Sequence, residues 1–245
     1  MGIALTRRIA SALLRTVYAV YALSAFSALF LLAAALTLIA PKLEWRRRLT
    51  HWFAGLGLAA LFIRVTSDGN QNLPAESCIV VANHASYLDG IILKAVLPPR
   101  FSFVIKQEAA AAPVLGMVLK RIGSEFVDRN SHSGRQRDAR RFMRKAAAGH
   151  SLVFFPEGTF FTEPGLRRFH SGAFVAAARS DLPVVPVVIH GARRALPNRA
   201  FVPRPGPVRV EILAARTVAQ MGSAQALRDD SRARILARLD EPDAG

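Results

Sequence analysis

The chain is short of cysteine, of acid and of clustered metal-binding side chains, and each shortage removes a class of protein. Among 245 residues there is one cysteine, Cys78, so no intrachain disulfide can form. It sits in the apolar run Cys78-Ile79-Val80-Val81-Ala82, where a thiol reads as buried and structural rather than nucleophilic. Acidic residues number 17 against 33 Lys and Arg, a formal net charge of +16. Such an excess points to nucleic acid, an anionic bilayer or acidic substrates. No nucleic-acid module is recognisable, and the chain opens on an apolar segment, so no nucleic-acid partner is expected. Arginine far outnumbers lysine, which makes part of the excess compositional. The six histidines show no ligand-like spacing with carboxylates or cysteines, and no metal is expected. There are no internal repeats.

Charge is missing altogether from Thr16 to Ala40. As a helix this run measures about 37 Å, against about 30 Å of bilayer hydrocarbon. It is too long for the apolar region of a signal peptide, and Pro41-Lys42-Leu43-Glu44-Trp45 does not resemble a mature start. It also has no polar face, unlike most core helices. A membrane-spanning or membrane-embedded helix is expected. A second apolar stretch, Trp52 to Ile63, is too short to span. It follows Arg46-Arg47-Arg48 with Trp45 and Trp52 alongside, a basic–aromatic combination typical of the membrane interface, and it either lies in the interface or packs on the domain. Basic residues on the two sides of the first run nearly balance, so they do not set its orientation.

Beyond Ile63 the pattern alternates between strand and helix signals. Strands are predicted at Arg64–Asp68, Cys78–Ala82, Phe101–Ile105, Glu125–Val127, Leu152–Phe155, Val184–Ile189 and Val208–Leu213. Helices are predicted at Leu88–Leu97, Pro113–Arg121, Arg135–Ala148, Phe169–Ala178 and Ala226–Leu239. The fold class is therefore α/β, a mixed and largely parallel sheet flanked by helices, with an N-terminal membrane-associated helical segment. Residues 1–63 form the anchoring segment, 64–215 the α/β domain, and 216–245 a C-terminal helix and a tail expected to be disordered.

Two stretches carry chemistry. Asn83-His84-Ala85-Ser86-Tyr87-Leu88-Asp89-Gly90 follows a buried strand, where α/β proteins place reactive groups. His84 can take a proton near neutral pH, and Asp89 can orient the imidazole. At about 100° per residue the two lie some 140° apart on an ideal helix. They meet only if His84 sits at the bend and Asp89 in the first helical turn. Ser86-x-x-Asp89 equally matches a capping box, with Asp89 complementing the helix dipole, and spacing alone leaves both readings open. A Ser86-His84-Asp89 triad is not expected, since six residues can hardly present all three in line. In Phe155-Pro156-Glu157-Gly158-Thr159-Phe160, Pro156 and Gly158 set a turn from which Glu157 would project and whose backbone N–H groups could meet an oxyanion or phosphate.

In this order the motifs resemble the glycerolipid acyltransferase family typified by 1-acylglycerol-3-phosphate acyltransferase. The resemblance rests on Asn83-His84-x-Ser86-x-x-Asp89 and Phe155-Pro156-Glu157-Gly158-Thr159. Lys106-Gln107-Glu108, Gly123 through Asp128-Arg129, Phe169 to Phe174 and Val185-Pro186-Val187 fall in the family's order, so that roughly residues 44 to 213 are covered. The resemblance implies that His84 is a general base oriented by Asp89. It implies that Lys106 and Arg129 meet an acceptor's phosphate, and that Glu157, Gly158 and Thr159 shape the acceptor site. Paired with Asp128 and Glu108 respectively, Arg129 and Lys106 are also ordinary surface residues. The implied reaction moves an acyl group from acyl-CoA or acyl-acyl carrier protein to a lysolipid hydroxyl, with no cofactor, on the cytoplasmic face of a membrane containing anionic lipids. The acceptor would be 1-acylglycerol-3-phosphate, another lysophospholipid or a lyso-ornithine lipid. A lipid hydrolase or thioesterase, and an adaptor without activity, are the rival readings. Phe160 departs from the Arg or Ser usual at that point, and Arg167 and Arg168 lie close enough in sequence to replace the charge.

Overall fold

The computed structural model describes residues 2–127, 141, 142, 144, 145 and 148–245. Two long helices come first: α1, Gly2–Ile39, and α2, Leu43–Ala60. They turn at Pro41, whose ring cannot continue α1. A small side chain lets the pair approach closely, with Ala22 buried against Leu58 and Leu61, while Ala34 is buried against Val118 and Ile122 further along the chain. The Tyr18 and Tyr21 hydroxyls donate to the carbonyls of Leu61 and Ala60, each at 3.1 Å, and so cap the end of α2. The apolar stretch Trp52 to Ile63 is thus mostly the C-terminal part of a helix that begins at Leu43.

The basic and aromatic residues of α2 divide between the two readings. Trp45 and Trp52 are exposed, and Arg48 pairs with Glu44 at the surface. Arg46 and Arg47 turn inward instead. Arg46 donates to the carbonyls of Ala40 and Pro41, each at 2.7 Å. Arg47 is buried and reaches carbonyls at the far end of the domain. Carbonyls left open at helix and loop ends are strong acceptors for a guanidinium. The partners lie up to 75 residues away in sequence, so nothing local marked them.

The remaining elements run β1 Ile63–Asp68, β2 Ile79–Ala82, α3 Leu88–Val96, β3 Ser102–Lys106, α4 Pro113–Arg121, β4 Glu125–Val127 and β5 Leu152–Phe154. Then follow α5 Gly172–Ser180, β6 Val184–His190, the single turn α6 Ala192–Ala195, β7 Gly206–Ile212, α7 Val218–Met221 and α8 Ala224–Leu236. The strands form one sheet in the order β1-β7-β6-β2-β5-β3-β4. Every neighbouring pair is parallel except β6 with β7. The sheet is mixed and largely parallel, as the alternating pattern predicts.

Central strands buried on both faces need apolar residues at every position. Ile79-Val80-Val81-Ala82 and Leu152-Val153-Phe154 are buried throughout. Val80, Ala82, Val153, Val185 and Val187 face one core, shared with α2 and α3. Ile79, Val81, Leu152, Phe154 and Val184 face the other, shared with α5 and α8. Cys78 lies in the first core, fully buried, and burial pushes its thiol up to about 11, which keeps it protonated and inert.

Three expectations are corrected or fall outside view. The helix predicted at Phe169–Ala178 begins at Gly172, because Phe169 is buried in the second core and His170 N–H donates to Pro156 O at 2.8 Å. Most of the helix predicted at Arg135–Ala148 lies outside the described residues; residues 141, 142, 144 and 145 are helical. The last residues are not disordered. Leu166 and Asp243 form a parallel bridge, and the tail lies along the loop after β5.

Candidate active site

The chain leaves β2 and crosses to β3 on one side, while β5 crosses to β6 on the other. A crevice opens at such a switch, beyond the carboxyl ends of the strands. His84 follows β2 there and Glu157 follows the adjacent β5, so a strand register brings together residues more than seventy positions apart. Asn83 holds the end of β2 in place. Its buried amide donates to Ile189 O at 3.1 Å and accepts from Ile189 N at 2.8 Å, extending the pairing with β6 by one side chain.

His84 sits in the bend before α3 and Asp89 in the first turn of α3, the one arrangement in which they can meet. His84 Nδ1 and Asp89 Oδ2 are 2.8 Å apart. The Asp89 side chain is fully buried, whereas that of His84 is 18% exposed. A carboxylate can only accept, so Nδ1 carries the proton and Nε2 holds the lone pair. Oδ2 also accepts from the N–H of Ala85 at 2.7 Å and of Ser86 at 2.8 Å. Half of a capping box is therefore made. The other half is not: Ser86 Oγ donates to Leu196 O at 2.8 Å and accepts from Leu88 N. Ser86 is fully buried and so committed that it cannot serve as a nucleophile.

Glu157 does not project from the strand end. It is buried, and each oxygen accepts one backbone N–H, Oε1 from His84 at 2.6 Å and Oε2 from Arg167 at 2.9 Å. It thus fastens the backbone of the histidine to the loop after β5. Gly158 takes φ +82°, and its N–H donates to Phe155 O at 3.0 Å. That donor is spent on the turn and is not offered to an oxyanion. Thr159 is half-buried beside it.

Aromatic rings enclose the imidazole. Phe155 stacks on His84 with centroids 4.3 Å apart, and Phe160 meets it edge-on at 4.7 Å. Tyr87 packs against Phe160 in turn. Phe160, which marks the departure from the family's pattern, thus lies on the histidine itself. Its being aromatic is the signal that could have placed it there. The guanidinium of Arg167 lies over the ring of Phe161, so it is not a free charge in the crevice. Lys106 ends β3 and is exposed, two strands from His84 on the same edge, or about 10 Å at about 4.8 Å per strand. Arg129 lies outside the described residues. Among the described residues no three His, Cys, Asp or Glu come together as a metal site.

Burial pushes the Glu157 carboxyl up to about 7, against the lowering effect of its two backbone donors. A raised carboxyl pKa means that the folded state holds its proton more tightly than the unfolded chain. The stabilisation is complete below the ordinary carboxyl range and is lost as pH rises towards about 7. Wild type should therefore lose stability between pH 5 and 8 relative to Glu157→Gln, by an amount on the order of 3 kcal/mol at about 1.4 kcal/mol per unit. Thermal melting of both proteins across that range checks it, and parallel curves would refute it.

Comparison with known proteins places this geometry. A 1-acyl-sn-glycerol-3-phosphate acyltransferase of Brassica napus is 31% identical over 63% of this chain and 46% of its own. A lyso-ornithine lipid O-acyltransferase of Pseudomonas aeruginosa is 33% identical over 62% of this chain and 57% of its own. Human lysophosphatidylcholine acyltransferase 1 is 30% identical over 73% of this chain and 37% of its own. The chain thus spans about half the length of these curated relatives or less. The crystal structure of a 1-acyl-sn-glycerophosphate acyltransferase from Thermotoga maritima superposes with a TM-score of 0.77 over 91% of this chain and 93% of that one, at 21% identity, and has the same fold. The family model described as Acyltransferase matches residues 64–190, just over half of the chain. That span runs from β1 to the end of β6 and contains His84, Asp89 and Glu157, and the chain belongs to this family.

Proposed function

We propose that the protein is a membrane-associated O-acyltransferase acting on a lysolipid. The observation that carries the proposal is the pair formed by a buried, acceptor-only Asp89 and a partly exposed His84 at the sheet's crevice. Nδ1 is committed to Asp89, so Nε2 takes the proton from the substrate hydroxyl. The oxygen attacks the thioester carbonyl, the thiolate leaves, and the proton held at Nε2 passes to it. Asp89 stabilises the imidazolium between the two transfers. The substrate's own hydroxyl is the nucleophile, since Ser86 is tied down and Cys78 is buried and protonated.

The acceptor we assign is 1-acylglycerol-3-phosphate, giving phosphatidic acid, with acyl-CoA or acyl-acyl carrier protein as donor. Lys106 and Arg129 meet its phosphate, since a guanidinium binds phosphate in a bidentate fork. Glu157 and Gly158 set the acceptor site by fixing the loop after β5, with Thr159 at its edge. The names of the relatives in Brassica napus, Pseudomonas aeruginosa and human cover three head groups, so the acceptor is the part of the proposal most exposed to test.

The membrane setting rests on α1. Within its segment Ala10–Ile39 an 18-residue stretch has a mean hydropathy of 2.3 and is only 17% buried against the protein, unlike a core helix. Leu13, Leu14, Val17, Val20, Leu31 and Leu32 are exposed along it. In contact with anionic lipid, the basic excess adds about 1 kcal/mol for each Lys or Arg near the surface. Since the donors are cytosolic, the domain is assigned to the cytoplasmic face.

The test is a mass-spectrometric acyl-transfer assay with purified protein, both donors and a panel of lysolipids. The expected product is phosphatidic acid, formed faster than products from acceptors lacking a terminal phosphate. Faster acylation of lyso-ornithine lipid would overturn the acceptor. Free fatty acid as the sole product would make the protein a hydrolase.

A further inference from the structure

The loop after β5 holds Glu157 at one end and is itself held at the other by the C-terminal tail. Leu166 N–H donates to Pro242 O at 2.9 Å, and Ala244 N–H donates to Leu166 O at 3.1 Å. Glu241 lies across this strap. Its carboxylate forms a two-point pair with Arg193, Nε to Oε1 at 2.8 Å and Nη2 to Oε2 at 3.0 Å, and Oε2 also accepts from Gly165 N–H at 2.8 Å. Both partners of the pair are only 17% exposed. Arg193 donates from Nη1 to Phe161 O at 2.6 Å, so one guanidinium joins the tail to the loop that carries Phe160. From α8, Arg232 donates to the carbonyls of Leu166 and Arg167 and pairs with Asp243.

A short chain of bonds leads from the tail to the base. The strap fixes the peptide between Leu166 and Arg167. The Arg167 N–H holds Glu157 Oε2, and Glu157 Oε1 holds the His84 N–H. Gly165 shows how close the approach is: a Cβ there would stand 2.6 Å from the Ala244 Cβ.

We propose that the 241–245 strap, with Glu241 and Arg193 at its centre, positions the catalytic histidine by fixing Glu157. Glu241 and Arg193 are positioning residues for the reaction proposed above, and the inference rests on that reading. Without the strap the 165–168 segment loses its bonds to Glu241, Pro242 and Ala244 and keeps those from Arg232. Glu157 then no longer has both donors in place, and the His84 backbone samples orientations in which Nε2 misses the hydroxyl. Small misplacements of this kind lower turnover and leave substrate binding largely intact.

The test is a double-mutant cycle in the full chain with Glu241→Gln and Glu157→Gln. Gln at 241 keeps the size but loses the charge pair with Arg193. The expected result for Glu241→Gln is a kcat about 10-fold lower with KM for donor and acceptor within about 2-fold. On the Glu157→Gln background the same substitution should cost less than about 2-fold, because the route is already broken. Hydrogen exchange should show faster exchange at the Leu166 and Arg167 amides in Glu241→Gln, with the melting temperature within about 3 °C of wild type. A 10-fold loss on both backgrounds would make Glu241 a merely structural residue. Wild-type kcat in Glu241→Gln, with unchanged exchange at 165–168, would overturn the strap outright. Absence of transfer by wild type would instead strike the proposed function, leaving the exchange result to decide whether the tail holds the loop.

Discussion

His84→Ala is expected to lower the kcat of acyl transfer by about 10³-fold, within the range of 10²–10⁴ that a positioned acid–base group contributes, while KM changes little. Among the described residues the ring bonds to Asp89 alone, and its backbone N–H, which binds Glu157, survives the substitution. The protein should therefore fold and bind substrate yet fail to remove the hydroxyl proton. Asp89→Asn separates the roles of the carboxylate. Oδ2 accepts from three donors at once, and an amide oxygen can still accept from the backbone pair. That oxygen then also accepts from His84 Nδ1 and keeps the tautomer, but the negative charge that stabilises the imidazolium is gone. A loss of about 10²–10⁴-fold in kcat is expected, with a melting temperature close to wild type. Asp89→Ala should lose comparable activity and about 1–2 kcal/mol of stability besides, since the Ala85 and Ser86 amides go unsatisfied. Steady-state rates by mass spectrometry and thermal melts of the three variants check this. Transfer at wild-type rate in His84→Ala would end the general-base mechanism.

That pair of effects answers a question the spacing left open. A carboxylate five residues after a histidine reads either as a helix cap or as a catalytic partner, and Asp89 is bonded as both. The geometry is economical because the bend that presents His84 is the bend whose amides Asp89 caps. Local patterns made β2, α3 and β5 legible, since continuous apolar runs and the residues that end them act over a few positions. The contact of Glu157 with the His84 backbone was not legible. It is a side-chain-to-backbone bond across two adjacent strands, and a carboxylate on a Pro/Gly turn looks the same pointing outward or inward. Phe160 was visible as a departure, but sequence could not say that it lies against the imidazole. Docking of the tail escaped notice for a related reason. Asp240-Glu241-Pro242-Asp243 reads as a polar end, and its partners include Arg193, Gly165 and Leu166, which lie 48 to 76 residues away in the chain.

Arg47 is where sequence misled most and where the largest loss of stability is expected. Its guanidinium donates from Nε to Ile122 O at 2.9 Å, from Nη1 to Arg100 O at 3.0 Å, and from Nη2 to Ser102 Oγ. These acceptors lie at the end of α4 and at the entry to β3, so one side chain of the N-terminal helix pair is pinned into the α/β domain. Burial holds its pKa below the ordinary arginine value, with Glu125 opposing that effect; the cost of desolvation is therefore already present in the folded state. Removing the side chain does not simply recover that cost. Arg47→Met leaves acceptors buried without donors, at about 1–3 kcal/mol apiece where water cannot reach them, and leaves Glu125 with one fewer opposing charge. A net loss of about 3–5 kcal/mol is expected, or roughly 10 °C in melting temperature for a chain of this size. Arg47→Lys should recover less than half, since an ammonium cannot span three acceptors in a fixed fork. The contrast with His84 is the test of where Arg47 acts. Ser102 opens β3, at the edge of the sheet opposite the crevice, so kcat per folded molecule should stay within about 3-fold of wild type. Thermal melts in detergent, paired with rates normalised to folded protein, decide it. A melt unchanged in Arg47→Met would mean that the helix pair is held to the domain without Arg47, through Leu58 and Leu61 against the α3 face and the bonds of His51 to Lys94 O and Arg121 to Leu38 O.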